Sequence, residues 1–82
     1  MIYRAELSVK ALGQLSGFPP SAMDALIEAL SWVIEYPADP LRTFPTTDPY
    51  VRSAEFGGAG LVTYRIDDAA YLVTVADVTG VG

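Results

Sequence analysis

The period of the hydrophobic pattern changes along this chain. From Leu61 to Val78, LVTYRIDDAAYLVTVADV, apolar and β-branched residues alternate with polar ones on either side of Asp67-Asp68-Ala69-Ala70, which predicts a β-hairpin. With the turn centred between Asp68 and Ala69, Ile66 faces Tyr71, Tyr64 faces Val73 and Val62 faces Val75 on one apolar side. Leu61 with Ala76, Thr63 with Thr74 and Arg65 with Leu72 make the other side, which is mixed. That is the signature of an antiparallel sheet covered on one face. Between Ser21 and Tyr36 the period lengthens to that of a helix. Met23, Leu26, Ile27, Leu30, Val33 and Ile34 recur at i, i+3, i+4 and i+7 as a stripe expected to be buried, opposite Asp24, Glu28, Ser31 and Glu35. Pro19-Pro20 and the capping-box-like pair Ser21 and Asp24 predict its start, and Pro37 its end.

The remaining segments follow from the same reasoning. Ile2–Leu7 alternates as a short strand. Ser8 is placed to cap a helix running to Ser16, with Val9, Ala11, Leu12 and Leu15 turned inward and Gly17 as its stop. The short Gly17–Pro20 link predicts that the two helices are antiparallel. The Pro-rich segment Ala38–Pro49 reads as a loop, Tyr50–Phe56 as a strand, and Gly57-Gly58-Ala59-Gly60 as a tight turn. The expected fold class is α+β: order β-α-α-β-β-β, an antiparallel sheet with a two-helix hairpin packed on one face, as a single domain spanning 1–82. The partner of the first strand stays open, because pairing order is not written in a local pattern.

Composition narrows the chemistry. Over 82 residues the chain has no Cys and no His, which removes disulfides, thiolate nucleophiles and the commonest acid–base group and metal ligand. No metal site and no cofactor are expected. Ten acidic against five basic residues leave a net charge of −5, so a nucleic acid would be held only by a local basic patch drawn from Arg4, Lys10, Arg42, Arg52 and Arg65. No run approaches a membrane span, and MIYRAELS lacks the apolar core of a signal peptide; a cytoplasmic protein with no membrane partner is the expectation.

Several residues stand out as candidates, each with an ordinary alternative. Arg52 and Arg65, on adjacent strands, could share one face and hold a phosphate, or each could be a solvated sheet residue paired with a carboxylate. Tyr50 and Tyr71, at strand starts, could stack a base or simply pack. Tyr64 could donate a proton, although its side of the hairpin is the apolar one, which favours a core tyrosine. Asp67 and Asp68 could hold a cation but fit ordinary turn chemistry better. The glycine-rich turn lacks the lysine and helix start of a phosphate loop. Ala25, Ala29, Trp32 and Tyr36 form a second apolar stripe on the longer helix, which predicts contact with a partner or another copy, or burial beneath the long loop.

Three stretches together carry a resemblance: Ser8-Val9-Lys10-Ala11-Leu12, Leu30-Ser31-Trp32-Val33-Ile34-Glu35-Tyr36-Pro37, and the hairpin with Val62-Thr63-Tyr64-Arg65-Ile66-Asp67-Asp68. With these the chain resembles the RelE/ParE superfamily, the toxin halves of bacterial type II toxin–antitoxin modules, also linked to plasmid stabilisation. The resemblance implies a compact toxin held by a cognate antitoxin and acting on translation, by metal-independent mRNA cleavage on the ribosome, or on DNA gyrase; the second apolar stripe leaves a homodimer as a further option. Such cleavage needs a base near the 2′-hydroxyl, cations for the phosphorane and a proton donor.

Carried over residue by residue, the implied RNase site is incomplete. The arginine expected before the hairpin's first strand falls near Gly60 or Leu61, and the basic residue expected after the last strand falls in Thr79-Gly80-Val81-Gly82. Arg52 is one counterpart for the basic residues of the preceding strand. Arg65 matches a common superfamily residue without an assigned catalytic role. The resemblance therefore implies a divergent or degenerate toxin, with a non-catalytic module that binds an antitoxin-like partner as the alternative. An enzyme acting on a small molecule is a third reading, lacking any convergent acid–base constellation.

Overall fold

The computed structural model describes residues 2–58 and 60–80. Its elements are β1 (Arg4–Leu7), α1 (Val9–Leu15), α2 (Pro20–Val33), β2 (Thr43–Pro45), β3 (Val51–Phe56), β4 (Gly60–Asp67) and β5 (Leu72–Thr79). The strands form one sheet in the order β1-β5-β4-β3-β2. β2 to β5 are antiparallel neighbours, whereas β1 runs parallel to β5, Arg4 opposite Leu72 and Leu7 opposite Val75. The sheet is thus mixed, and it gains a strand inside the segment read as a loop. Pro45 ends β2, which is only three residues long; short edge strands carrying proline present little template for further pairing.

The hairpin keeps its predicted faces but not its predicted register. Ile66 lies opposite Val73 and Tyr64 opposite Val75, two residues further along β5 than expected. A two-residue turn at Asp68-Ala69 would call for a positive φ, normally supplied by Gly or Asn. The chain instead leaves four residues between the strands, with Tyr71 in the left-handed region at φ 50°. A shift of two preserves the side on which every residue points, so Val62, Tyr64, Ile66, Val73 and Val75 are all buried as the alternation predicted. Further along, Thr63 pairs with Asp77 while Tyr64 pairs with Val75, which makes Ala76 the extra residue of a β-bulge. The bulge turns Val78 inward. Gln14 of α1 bridges the irregularity, accepting from the Val78 amide at 2.7 Å and donating to Asp77 at 2.8 Å.

Both helices cover the Tyr64 side, α1 over β5 and α2 over β3. Ser8 caps α1 as expected, its hydroxyl accepting from the Ala11 amide. Only Ala11 of that helix is buried, however; Val9 is 87% exposed and Leu12 is also turned out. α2 starts from Pro19 as N-cap with Pro20 at its first position and no side-chain cap, so the Ser21–Asp24 box does not form. Its buried line is Leu26, Ala29 and Val33, midway between the two stripes read from the sequence. Ile27, expected inside, is 59% exposed, and Ala29, expected on the surplus stripe, belongs to the core. The helix is rotated so that a small residue sits against β3, allowing close approach to the sheet. At the β3–β4 turn Gly57 and Gly58 take positive φ, and Ala59 lies outside the described residues. Gly60 is buried beneath the Phe56 ring, where a Cβ would fall 2.4 Å from a ring carbon.

Candidate functional site

Where α2 stops, the sheet is left uncovered at one rim, and a cleft of about 620 Å³ opens there. Its walls are the segment after α2 (Glu35 to Pro40), Pro49-Tyr50 before β3, the Ile66–Asp68 end of β4, and Tyr3 before β1. Four elements distant in sequence meet because specific bonds hold them. The Tyr3 amide donates to the Ile34 carbonyl at 2.7 Å and the Ile66 amide to the Tyr50 carbonyl at 2.7 Å. Beneath the cleft, the fully buried Tyr64 hydroxyl donates to the Pro37 carbonyl at 2.6 Å. Burial pushes the Tyr64 pKa up to about 12, the nearby Thr43 hydroxyl and Arg52 charge opposing this only in part. A phenol so bound is a structural post, and the proton-donor reading of Tyr64 does not survive.

The sequence left open whether Arg52 and Arg65 share a face, and the register puts them on two. Arg52 pairs with Tyr64 and so points to the helix-covered side, while Arg65 pairs with Val51 and points to the bare side. The guanidinium of Arg52 enters the cleft. It is oriented by Thr43, with Nε donating to the hydroxyl at 2.7 Å and Nη2 to the carbonyl at 3.3 Å. Thr43 in turn donates through its own hydroxyl to the Asp39 carbonyl at 2.6 Å. Arg65 instead bonds Asp48 at 3.0 Å and lies 5.9 Å from the centroid of the Tyr50 ring. Asp48 is held below the usual carboxylate range, first by accepting from the Tyr50 amide and then by Arg65. The two arginines therefore cannot clasp one phosphate.

Tyr50 lines the cleft and is exposed, so its ring is available to a ligand. Tyr71 lies outside that lining; as the left-handed residue of the β4–β5 turn it packs edge-on against Tyr3, centroids 5.6 Å apart. Tyr3 also donates to the Asp68 carboxylate, and this bond, followed by burial, raises the tyrosine's pKa. Asp67 accepts from the Ala70 amide at 3.1 Å, the turn role expected of it. Among the described residues no three Asp or Glu side chains gather in a way that could hold a metal ion.

The stripe Ala25, Ala29, Trp32 and Tyr36 divides. The first three line a smaller groove of about 270 Å³ with Glu28, Glu55, Phe56 and Gly57, and Trp32 carries the Arg42 guanidinium 5.3 Å from its ring centroid. Tyr36, 66% exposed, belongs to the main cleft. Sequence reasoning missed Tyr3, Glu35, Asp39, Thr43 and Asp68 as cleft residues or supports. No local signal marks them, since the residues that meet here run from position 3 to position 68.

In charge, the cleft sets Glu35, Asp39 and Asp68 against Arg52 alone. The bare side of the sheet has the same bias: register places Arg4 and Arg65 there with Glu6, Glu55 and Asp67. Neither surface is a cationic bed for a phosphate backbone.

No protein-family model and no curated protein matches this sequence. Among solved structures the fold is that of the RelE toxins. A doubly substituted E. coli RelE, bound to a peptide of the antitoxin RelB, superposes with TM-score 0.85 over 100% of this chain and 86% of its own, at 18% identity. A RelBE toxin–antitoxin complex from Mycobacterium tuberculosis gives TM-score 0.83 over 99% of this chain and 100% of the matched chain, at 24% identity. An archaeal RelE–RelB complex from Pyrococcus horikoshii gives 0.71 at 14% identity, covering 98% of this chain and 96% of that one. The chain therefore has the RelE fold over its whole described length. No helix among the described residues is long and apolar enough to cross a membrane.

Proposed function

We propose that this chain is the toxin-side component of a bacterial toxin–antitoxin pair, held in the cytoplasm by an antitoxin protein, with RNA-cleaving chemistry that has degenerated. The observation that carries the reading is the end-to-end superposition on toxins solved together with their antitoxins. The degeneracy follows from charge. Cleavage through the 2′-hydroxyl places extra negative charge on the phosphate, which needs converging cations. Here Arg52 and Arg65 lie on opposite sides of the sheet, Arg65 is already paired with Asp48, and Gly60 has no room for a side chain under Phe56. Of the targets such toxins act on, mRNA is the less favoured by this acidic surface, which leaves a protein target such as gyrase ahead of it.

The same facts favour a second reading, a non-catalytic module that keeps the scaffold for binding an antitoxin-like partner. Two measurements separate the readings. Coexpression with the neighbouring reading frame should give a complex that co-purifies through size exclusion, and two independently eluting monomers would remove both. Induction of this chain alone should then arrest growth if it is a toxin; unimpaired growth at high soluble expression leaves the binding module. In either case we expect no cleavage of a test mRNA by the purified protein, and cleavage lost in Arg52→Ala would overturn the degeneracy.

A further inference from the structure

We propose that the cleft beyond the end of α2 is a socket for a basic side chain, a lysine or arginine carried by an extended segment of a protein partner. This deepens the reading that a protein partner holds the chain and rests on it. Three observations converge. First, the walls are aromatic and apolar, with Tyr36 and Tyr50 both exposed and Pro37, Pro40 and Pro49 beside them in the lining, which suits the aliphatic stem of a long cationic side chain. Second, tyrosine faces attract a cation placed over them, as the Tyr50 ring already does with Arg65, 5.9 Å from its centroid, and the exposed Tyr36 offers a further face. Third, Glu35, Asp39 and Asp68 border the cleft against Arg52, in a molecule whose net charge is −5, so an approaching cation is drawn in and an anion repelled.

The socket is also formed before anything enters it. Asp39 is clamped by its carbonyl accepting from the Thr43 amide at 2.9 Å and by its carboxylate accepting from the Leu41 amide at 2.9 Å. Asp68 is fixed by the Tyr3 hydroxyl, and Arg52 is held by two bonds to Thr43. Glu35 is exposed, and neither a hydrogen bond nor an ion pair engages its carboxylate in the described residues, which leaves it to meet the incoming charge. Preorganisation of this kind lowers the ordering cost of binding. Arg52 is the one element that opposes a cationic guest, and this makes the proposal sharp: removing it should strengthen binding.

The test uses the intact chain and three blocked tripeptides that differ only at the centre: arginine, citrulline and glutamate. Binding is followed by amide and tyrosine-ring NMR shifts. The arginine peptide should move the signals of Tyr36, Tyr50 and Asp39, weaken roughly tenfold as salt rises from low to high ionic strength, and weaken about fivefold or more in Glu35→Gln. Arg52→Gln should tighten it by a similar factor. Equal binding of the citrulline peptide, binding of the glutamate peptide that is lost in Arg52→Gln, or shifts elsewhere on the surface would each overturn the proposal. Because the peptides replace the partner, a failed coexpression leaves this result standing, and a failed titration leaves the complex standing.

Discussion

The two sides of one sheet behave differently, although their residues alternate along the same strands. On the covered side Tyr64, Thr43 and Arg52 are all committed. Tyr64 donates to Pro37, Thr43 donates to Asp39, and Arg52 donates twice to Thr43. On the bare side the polar groups are loosely held: Ser53 and Thr63 share one hydrogen bond across β3 and β4, and Arg65 reaches an exposed Asp48. The difference teaches where this protein keeps its rigidity. Burial makes an unpaired polar group costly, so the covered side is a fixed network, whereas water competes for every contact on the bare side. The cleft lies at the rim of the rigid side, where α2 no longer covers the sheet, and that is why it can be shaped and open at once.

The contrast can be broken most forcefully at the helix–sheet contact. Leu26→Ala should cost about 3 kcal/mol of unfolding free energy in urea titrations, since Leu26 is fully buried. Its neighbour Ile27→Ala should stay within about 0.5 kcal/mol. Equal losses would mean that α2 presents a different face to the sheet. Next in size, Tyr64→Phe should cost roughly 1–3 kcal/mol, because it leaves the buried Pro37 carbonyl without a donor. The pH dependence of this group has a definite sign. Its pKa is raised in the fold from 10.0 to about 12, so its contribution is complete below pH 10 and is lost as the pH climbs towards 12. Wild type should therefore lose the stability difference from Tyr64→Phe across that interval.

Thr43→Val should come third, at about 1 kcal/mol, with a mobile Arg52 side chain visible by NMR. Smallest should be Arg65→Gln on the bare side, whose thermal midpoint should match wild type in high salt. Acid behaviour adds a complementary check. Asp77 is held below its ordinary value, first by Gln14 and then by Lys10, and Asp48 by the Tyr50 amide and Arg65. Depressed carboxylates stabilise above their unfolded pKa of about 3.8, and that contribution fades as the pH falls through their folded values. Gln14→Ala should move the acid midpoint upward, and an unchanged midpoint would remove Gln14 as the cause.

The proposed socket and the expected sites differ in how they are encoded. Alternation in β3 and β4 was legible because strand geometry ties each side chain's direction to its neighbour's. Whether Arg52 and Arg65 share a face stayed open in the sequence for a related reason: parity within each strand is local, but the alignment of one strand on the next depends on turn length and pairing. The α2 stripe shows the same limit on a helix. Its apolar surface spans two stripes, and only packing against the sheet decided that Ala29, smaller than its neighbours, would join Leu26 and Val33 in the core. The Ala76 bulge was invisible for the same reason, being defined by two strands and secured by Gln14 from a third element.

Periodicity, proline and glycine placement, and an acidic composition were enough to establish an α+β domain with two helices over an antiparallel hairpin, and to disfavour a phosphate-binding surface. These are properties of neighbouring residues or of the whole chain's charge, which need no knowledge of long-range packing. The parallel docking of β1 on β5, the sides taken by the two arginines and the cleft joining Tyr3, Glu35, Tyr50 and Asp68 were settled only when distant segments met. Contacts between segments dozens of residues apart are chosen by the free energy of the assembled core, and no short stretch of sequence carries that information.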